Sequence, residues 1–147
     1  MRRINLETVS KAIYIDFEGN VDREPTFLGS HHLDIQTGAE VFTQYVHEEI
    51  FHSAVEDKPQ CVNKSIDEAF ECLATIAHKE NRIFLAWSTR EKLAIETFVS
   101  NEKLSEFVVS RLFDSKRIAR RWKNRFHRNV ISNILNTAMC ITQCSQS

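Results

Sequence analysis

The chain has 147 residues, 42% hydrophobic and 27% charged, which excludes a disordered or fibrous protein and predicts one globular domain over residues 1–147, whole or C-terminally truncated. No apolar run reaches the roughly 18 residues of a membrane span and no signal sequence begins the chain, so we expect a cytoplasmic protein without a membrane partner. The charge is divided unevenly along the chain. Residues 1–114 contain 12 Lys and Arg and 20 Asp and Glu, whereas residues 115–147 contain 7 Lys and Arg and no Asp or Glu. Such asymmetry indicates either a surface that faces a polyanion or one solvated basic helix.

The first third of the chain predicts a three-stranded antiparallel meander. Hydrophobic and polar residues alternate from Lys11 to Glu18, which is the period of a strand and puts Asp16 and Glu18 on one face. Turn-forming residues separate this stretch from two further predicted strands, at residues 26–33 and 39–47. Because both turns are short, neighbouring strands are expected to pair antiparallel.

The middle of the chain predicts alternating helices and strands. Residues 48–64 are polar and irregular, and Ser65 with Glu68 then forms a capping box for a helix. The buried stripe of that helix would contain Ile66, Ala69, Phe70, Leu73 and Ile76. Residues 82–87 form a short apolar run, as expected of a strand covered on both faces. A second capping box, Ser88 with Glu91, directly begins another helix.

The last third is mainly helical in pattern. One helix is predicted from near Asn101, a short strand before Asp114, and a further helix capped by Asp114 and Ser115. Residues 130–141 are also helical in pattern, with weak boundaries. A meander followed by βα units predicts an α/β fold with a mixed sheet flanked by helices.

Four cysteines are scattered along the chain, too few for a disulfide framework, so we expect reduced thiols. Cys140 and Cys144 have the helical i,i+4 spacing of a metal-binding pair. No second Cys or His pair at a usual zinc spacing accompanies them, and zinc is therefore not expected.

The Asp16–Glu18 pair at the end of an otherwise apolar strand carries the strongest chemical signal in the chain. Carboxylates on a buried strand are unfavourable unless they are paired or bind a metal ion, and Mg²⁺ and Mn²⁺ select oxygen ligands. Two-metal phosphodiester hydrolysis needs several such carboxylates together. The alternative is an edge strand whose polar face is simply exposed to water.

Three segments, residues 14–19, 83–91 and 113–120, carry a resemblance to a known family. They resemble the ribonuclease-H-like exonuclease superfamily named for its Asp-Glu-Asp-Asp metal ligands, and more closely its predicted nucleases of the RecB-associated type. The resemblance implies a three-layer α/β fold and a Mg²⁺- or Mn²⁺-dependent 3′-5′ exonuclease that hydrolyses terminal phosphodiesters of DNA or RNA. It also implies that Asp16 and Glu18 bind the metal ions.

Glu91 matches the acidic residue of the family's second motif, which implies a third metal-binding and catalytic carboxylate. Its alternative role is the capping of the helix that it begins. Asp114 matches an aspartate that lies outside the first metal shell, and we interpret it as a helix N-cap. The family's final aspartate has no counterpart, since no acidic residue follows Asp114 or His127. The resemblance therefore leaves enzymatic activity open, and the alternative is a catalytically incomplete module that binds nucleic acid or a protein partner.

The basic segment after Asp114 is predicted to contact the phosphates of nucleic acid, with a single-stranded end as the favoured partner. The cations concerned are Lys116, Arg117, Arg120, Arg121 and Lys123. Trp122, at helical spacing among them, is interpreted as a core residue and not as a base-stacking platform.

Two further pairs of residues fall near the predicted site. His31 and His32 would face opposite ways on their strand, and both are interpreted as structural. Trp87 and Ser88 lie at the carboxyl end of the central predicted strand, where open α/β sheets bind ligands. No neighbouring pattern marks Ser88 as a nucleophile.

Overall fold

A computed structural model describes the backbone of residues 4–19 and 23–123, and the side chains of residues 4–19 and 23–121. The chain forms two compact units, Met1–Asp114 and Ser115–Ser147, and each is described by itself. The predictions made for residues 130–141, for Cys140 and Cys144, and for His127 lie outside the described residues.

The first unit alternates strands and helices. Its elements are α1 (Leu6–Ser10), β1 (Ile13–Glu18), β2 (Phe27–Leu33), β3 (Glu40–Val46), a 3₁₀ turn (Glu49–Phe51), α2 (His52–Val55), β4 (Cys61–Asn63), α3 (Ile66–Lys79), β5 (Phe84–Ala86), α4 (Arg90–Phe98), α5 (Glu102–Ser110) and β6 (Leu112–Asp114). The second unit contributes α6 (Ser115–Lys123).

Six strands form one mixed sheet in the order β4-β3-β2-β1-β5-β6. β1, β2 and β3 pair antiparallel, whereas β4 is parallel to β3, β5 is parallel to β1, and β6 is parallel to β5. The predicted α/β class, with an antiparallel meander followed by βα units in a mixed sheet, is confirmed. Since β1, β5 and β6 run the same way, their carboxyl ends meet at one edge of the sheet.

The hydrophobic core lies between one face of this sheet and the helices α3, α4 and α5. Along β1, Ile13 and Ile15 are buried in the core, while Tyr14 and Asp16 are exposed on the opposite face. Phe17 packs against Phe70 of α3, with 5.9 Å between the ring centroids. The period-2 pattern of β1 thus decides which residues fill the core and leaves the carboxylates on the other face.

The first predicted capping box is confirmed at the start of α3. The Ser65 side chain accepts from the Glu68 backbone N–H, and the Glu68 carboxylate accepts in return from the Ser65 backbone N–H at 2.8 Å. These hydrogen bonds from Ser65 hold the pKa of Glu68 below its ordinary value. The buried stripe differs by one residue, because Ala77 is fully buried and Ile76 only partly so.

The second capping box is partly wrong. α4 begins at Arg90 and not at Thr89, and the side chain of its N-cap residue Thr89 makes no capping hydrogen bond. The Ser88 hydroxyl accepts from the Arg90 backbone N–H at 3.2 Å and donates to the Glu91 carboxylate. The strand before it is also shorter than predicted, since the chain bends from Trp87 to Thr89.

The polar stretch of residues 48–64 contains structure that the sequence pattern does not indicate. It holds the 3₁₀ turn, α2 and the edge strand β4, which pairs with β3 from Gln44–Cys61 to Val46–Asn63. Elements of three or four residues are too short to show a periodicity. β4 exists because the free edge of β3 offers it hydrogen-bonding partners, which is a tertiary effect.

Candidate functional site

The acidic pair lies on β1 at the sheet edge where the parallel strands end. Asp16 and Glu18 are both exposed, two residues apart on the face opposite the core. Gly19 follows at once with a φ of 138°, a conformation that other residues rarely adopt. A Cβ atom there would lie 3.0 Å from the backbone nitrogen of Thr26. Glycine therefore lets the chain turn away directly after Glu18 and keeps both carboxylates at the edge.

The strand beside Asp16 leaves space around its carboxylate. The residue paired with Asp16 on β2 is Gly29, which puts no side chain between them on that face. A glycine inside a strand often marks a place where a ligand or another backbone approaches closely. Gly29 is therefore a site residue that the sequence analysis missed, although an interior strand glycine was the signal that could have found it.

Glu91 lies in the first turn of α4, just after the carboxyl end of β5. Its side chain is buried, with 7% of the residue exposed. Its Oε2 atom accepts two hydrogen bonds from Ser88, one from the backbone N–H at 3.1 Å and one from the hydroxyl at 2.8 Å. The first is the hydrogen bond that the capping interpretation predicts. A buried carboxylate fixed in this way has one defined orientation.

The three acidic residues interact with one another electrostatically at Asp16. Partial desolvation by the surrounding protein raises the pKa of Asp16, and the negative charges of Glu18 and Glu91 raise it further. A hydrogen bond from the Phe17 backbone N–H opposes this rise. β1 and α4 thus bring Glu18 and Glu91 near enough to Asp16 that both of their charges disfavour its ionised form.

The raised pKa of Asp16, caused first by desolvation and then by the neighbouring charges, predicts how stability depends on pH. A carboxyl whose pKa is higher in the folded than in the unfolded chain contributes stability that is fully present below the unfolded pKa, ordinarily 3.8 for Asp16, and lost as pH rises through the folded pKa. At pH 7 the variant Asp16→Asn should therefore be more stable than the natural chain. The difference should disappear below pH 3.8, as measured by urea unfolding at a series of pH values.

Asp34→Asn is the matched control, for which we expect a change in stability of the opposite sign. Backbone N–H groups of Thr37 and Gln36 lower the pKa of Asp34, so its stabilising effect is present at neutral pH and lost as pH falls. That variant should be less stable than the natural chain at pH 7. Equal stability of Asp16→Asn and the natural chain from pH 3 to 8 would show that the charges around Asp16 do not oppose folding.

The donor chemistry of the site fits a hard divalent cation, but the geometry is not that of a complete cage. Among the described residues, no group of three or more His, Cys, Asp and Glu side chains is close enough to hold a metal ion. Mg²⁺ usually keeps several waters and takes only one or two protein carboxylates. Asp16 with one neighbouring carboxylate meets that smaller requirement.

Of the other residues considered from sequence, Asp114 lies on β6, His31 shares the sheet face of Asp16, and His32 lies on the core face. Asp114 ends β6 and is paired with Ala86 on β5; α6 begins at the next residue, as predicted. His32 is buried and His31 half-buried on the opposite face. The prediction that they face opposite ways is confirmed. His31 lies 3.9 Å from the Glu40 carboxylate.

The basic helix α6 belongs to the second unit of the chain. Lys116, Arg117, Arg120 and Arg121 are all exposed, and their spacing puts them on one face of the helix. Lys123 and Trp122 lie in the same helix, but their side chains are outside the described residues. The predicted cationic face therefore exists in α6, and its contact with nucleic acid stays a prediction.

None of the helices in the described ranges is long and apolar enough to cross a membrane. Comparison with known proteins found no matching family model, no matching curated protein and no matching solved structure.

Proposed function

We propose that this chain is a divalent-cation-dependent nuclease of the ribonuclease-H-like type, a 3′-5′ exonuclease on DNA or RNA. The observation that carries the proposal is that Asp16, Glu18 and the buried Glu91 lie toward the carboxyl ends of β1 and β5, where the charges of Glu18 and Glu91 both act on Asp16. Carboxylate oxygens are the ligands that Mg²⁺ and Mn²⁺ prefer, and one or two of them are enough for Mg²⁺.

The sheet order supports this proposal. An antiparallel meander leads into β5 and β6, which continue the sheet on the other side of β1. A meander followed by βα units along the chain is the order of elements implied by the resemblance to the ribonuclease-H-like superfamily. β4 is an additional edge strand beyond β3. The acidic pair of β1 is then central in the sheet, next to the strand that leads to Glu91.

Each residue of the proposed site has a role that follows from its position. Asp16 and Glu18 would hold the cation from the open face of β1, and Glu91 would contribute its carboxylate directly or through a water. Ser88 keeps Glu91 in one orientation through two hydrogen bonds to Oε2. When bound, the cation would activate water and stabilise charge on the phosphate oxygens. The cations of α6 are proposed to contact the phosphate backbone.

A second candidate function is a module that binds nucleic acid or a protein partner without cleaving a substrate. The observation that favours it is the lack of any acidic residue after Asp114, because the resembling family uses a further aspartate in its last motif. Both candidates share the fold and the acidic pair, and they differ in whether phosphodiester bonds are hydrolysed.

Calorimetric titration with Mn²⁺ tests the cation site. The natural chain should bind Mn²⁺, and Asp16→Asn should bind it at least tenfold more weakly, since loss of a partner at a metal site costs roughly 10–100-fold in affinity. Asp57→Asn is the control, because Asp57 is an exposed acid elsewhere in the chain. No binding, or equal binding by Asp16→Asn, would exclude the proposed cation site.

Cleavage of labelled single-stranded DNA and RNA then separates the two candidate functions. Shortening from the 3′ end that requires Mn²⁺ and is lost in Asp16→Asn would support the nuclease. Mn²⁺ binding without any shortening would instead support the non-catalytic module.

A further inference from the structure

Trp87 presents a large aromatic surface to solvent at the carboxyl end of β5. It directly follows β5, and 53% of its surface is exposed. Tryptophan is highly buried on average, so an indole that is more than half exposed is an unusual residue at this position and is free to contact a ligand.

The register of the sheet puts Trp87 at the same edge as the carboxylates. β1 and β5 are parallel, and Tyr14 is paired with Leu85. Trp87 lies two residues beyond Leu85, just as Asp16 lies two residues beyond Tyr14. The backbones of Asp16 and Trp87 therefore reach the same edge on neighbouring strands.

Trp87 is also joined to the site through Ser88. The Ser88 backbone N–H and hydroxyl both donate to Glu91, so the residue next to Trp87 fixes the third carboxylate. A second aromatic residue, Tyr14, shares the face of Asp16 and is 40% exposed. The site thus combines carboxylates that suit a cation, which could in turn bind phosphate, with exposed aromatic surfaces that suit a base.

We propose that Trp87 is a stacking platform for an unpaired base of single-stranded nucleic acid bound at the carboxylates. This inference rests on the proposed function and deepens it, because it assigns a residue to the selection of single strands. Aromatic stacking accepts every base, and bases within a duplex are already stacked on their neighbours. Trp87 would therefore favour a single-stranded end over a blunt duplex, with little dependence on sequence.

Tryptophan fluorescence tests the contact directly, since the chain has only two tryptophans. In the variant Trp122→Phe, Trp87 is the remaining fluorophore. Titration of a single-stranded oligonucleotide in Ca²⁺ should quench its emission to saturation. The same oligonucleotide made without bases should not. No quenching, or equal quenching by the two oligonucleotides, would overturn the proposal.

Affinity measurements on the natural chain provide the second readout. Trp87→Ala should weaken single-strand binding by about five- to a hundredfold, and Trp87→Phe should restore most of it. Phe42→Ala is the matched control, because Phe42 is an aromatic residue of β3 with a similar exposed fraction, 54%, two strands from β1. Unchanged affinity in Trp87→Ala would overturn the proposal. The proposal would also be overturned if the natural chain were a dimer and Trp87→Ala were a monomer, because the indole would then be a subunit contact.

The inference and the proposed function fail separately. Quenching and loss of affinity in a chain that cleaves nothing would support the stacking platform and exclude the nuclease. Cleavage that depends on Asp16 but is accompanied by no change in Trp87 fluorescence would support the nuclease and exclude the stacking platform.

Discussion

Replacement of Arg82 with alanine should lower the free energy of unfolding by about 3–5 kcal/mol, the usual cost of removing one partner from a buried charged pair. The Arg82 side chain is completely buried. It donates to the backbone carbonyl of Lys11 at 3.0 Å and to that of Leu33 at 2.5 Å, and it pairs with the Glu80 carboxylate. Alanine would leave all three acceptors without these hydrogen bonds and would open a cavity.

Arg82 joins parts of the chain that are distant in sequence. Lys11 precedes β1, Leu33 ends β2, and Arg82 itself lies between α3 and β5. The loss of stability should therefore affect the whole unit cooperatively. Circular dichroism should show a urea unfolding midpoint at a lower urea concentration than that of the natural chain. A domain of ordinary stability has about 5–15 kcal/mol in total, so the variant should unfold at a low urea concentration.

Two variants control the Arg82 experiment. Arg90→Ala removes the same side chain from an exposed position in α4, and it should change the unfolding free energy by no more than about 0.5 kcal/mol. Arg82→Lys keeps the charge but lacks the planar fork of donors, so an intermediate loss is expected. A change below about 1 kcal/mol in Arg82→Ala would mean that these buried hydrogen bonds are not needed for stability.

Replacement of Glu91 with glutamine should reduce the proposed nuclease activity by at least about a hundredfold, because bound cations contribute several kcal/mol to such reactions. The glutamine side-chain oxygen can still accept from the Ser88 backbone N–H, but it brings no negative charge to the cation. The unfolding free energy should change by less than about 1 kcal/mol, since the capping contact is retained. The measurement is the rate of 3′-end shortening at saturating Mn²⁺, with urea unfolding alongside.

This variant separates the two roles open for Glu91. Glu96→Gln is the control on the same helix, where Glu96 forms an exposed i,i+4 ion pair with Lys92 at 3.4 Å. It should leave cleavage unchanged and cost about 0.3–0.5 kcal/mol of stability. Cleavage by Glu91→Gln within threefold of the natural chain would assign Glu91 to helix capping alone.

Local pattern was sufficient for the elements that carry a long or strongly specified signal. The strands of the meander, the capping box of α3 and the start of α6 could all be predicted, because each depends on side-chain periodicity or on hydrogen bonds within a few residues. Asp16 and Glu18 were placed on one strand face for the same reason, and the structure shows that this face is exposed. Where signals were shorter, as in β4 and α2, the pattern indicated nothing.

Buried polar residues were the main failure of the sequence analysis. Arg82 was taken as the first residue of a buried apolar strand, yet it is a buried cation whose acceptors come from two other segments. Nothing within its own stretch of chain specifies those carbonyls. Gly29 likewise becomes a neighbour of the candidate site only when β2 pairs with β1 and puts it opposite Asp16.

The sequence by itself determined that Asp16 and Glu18 share one face of β1, because the period of a strand is a local property of the backbone. Only the tertiary structure decided their surroundings. Parallel pairing of β1 with β5 brings the start of α4 to the same sheet edge, and burial next to Ser88 then orients Glu91 toward a shared electrostatic site. Charges interact through space, so residues 75 positions apart can act on one carboxylate once the sheet has formed.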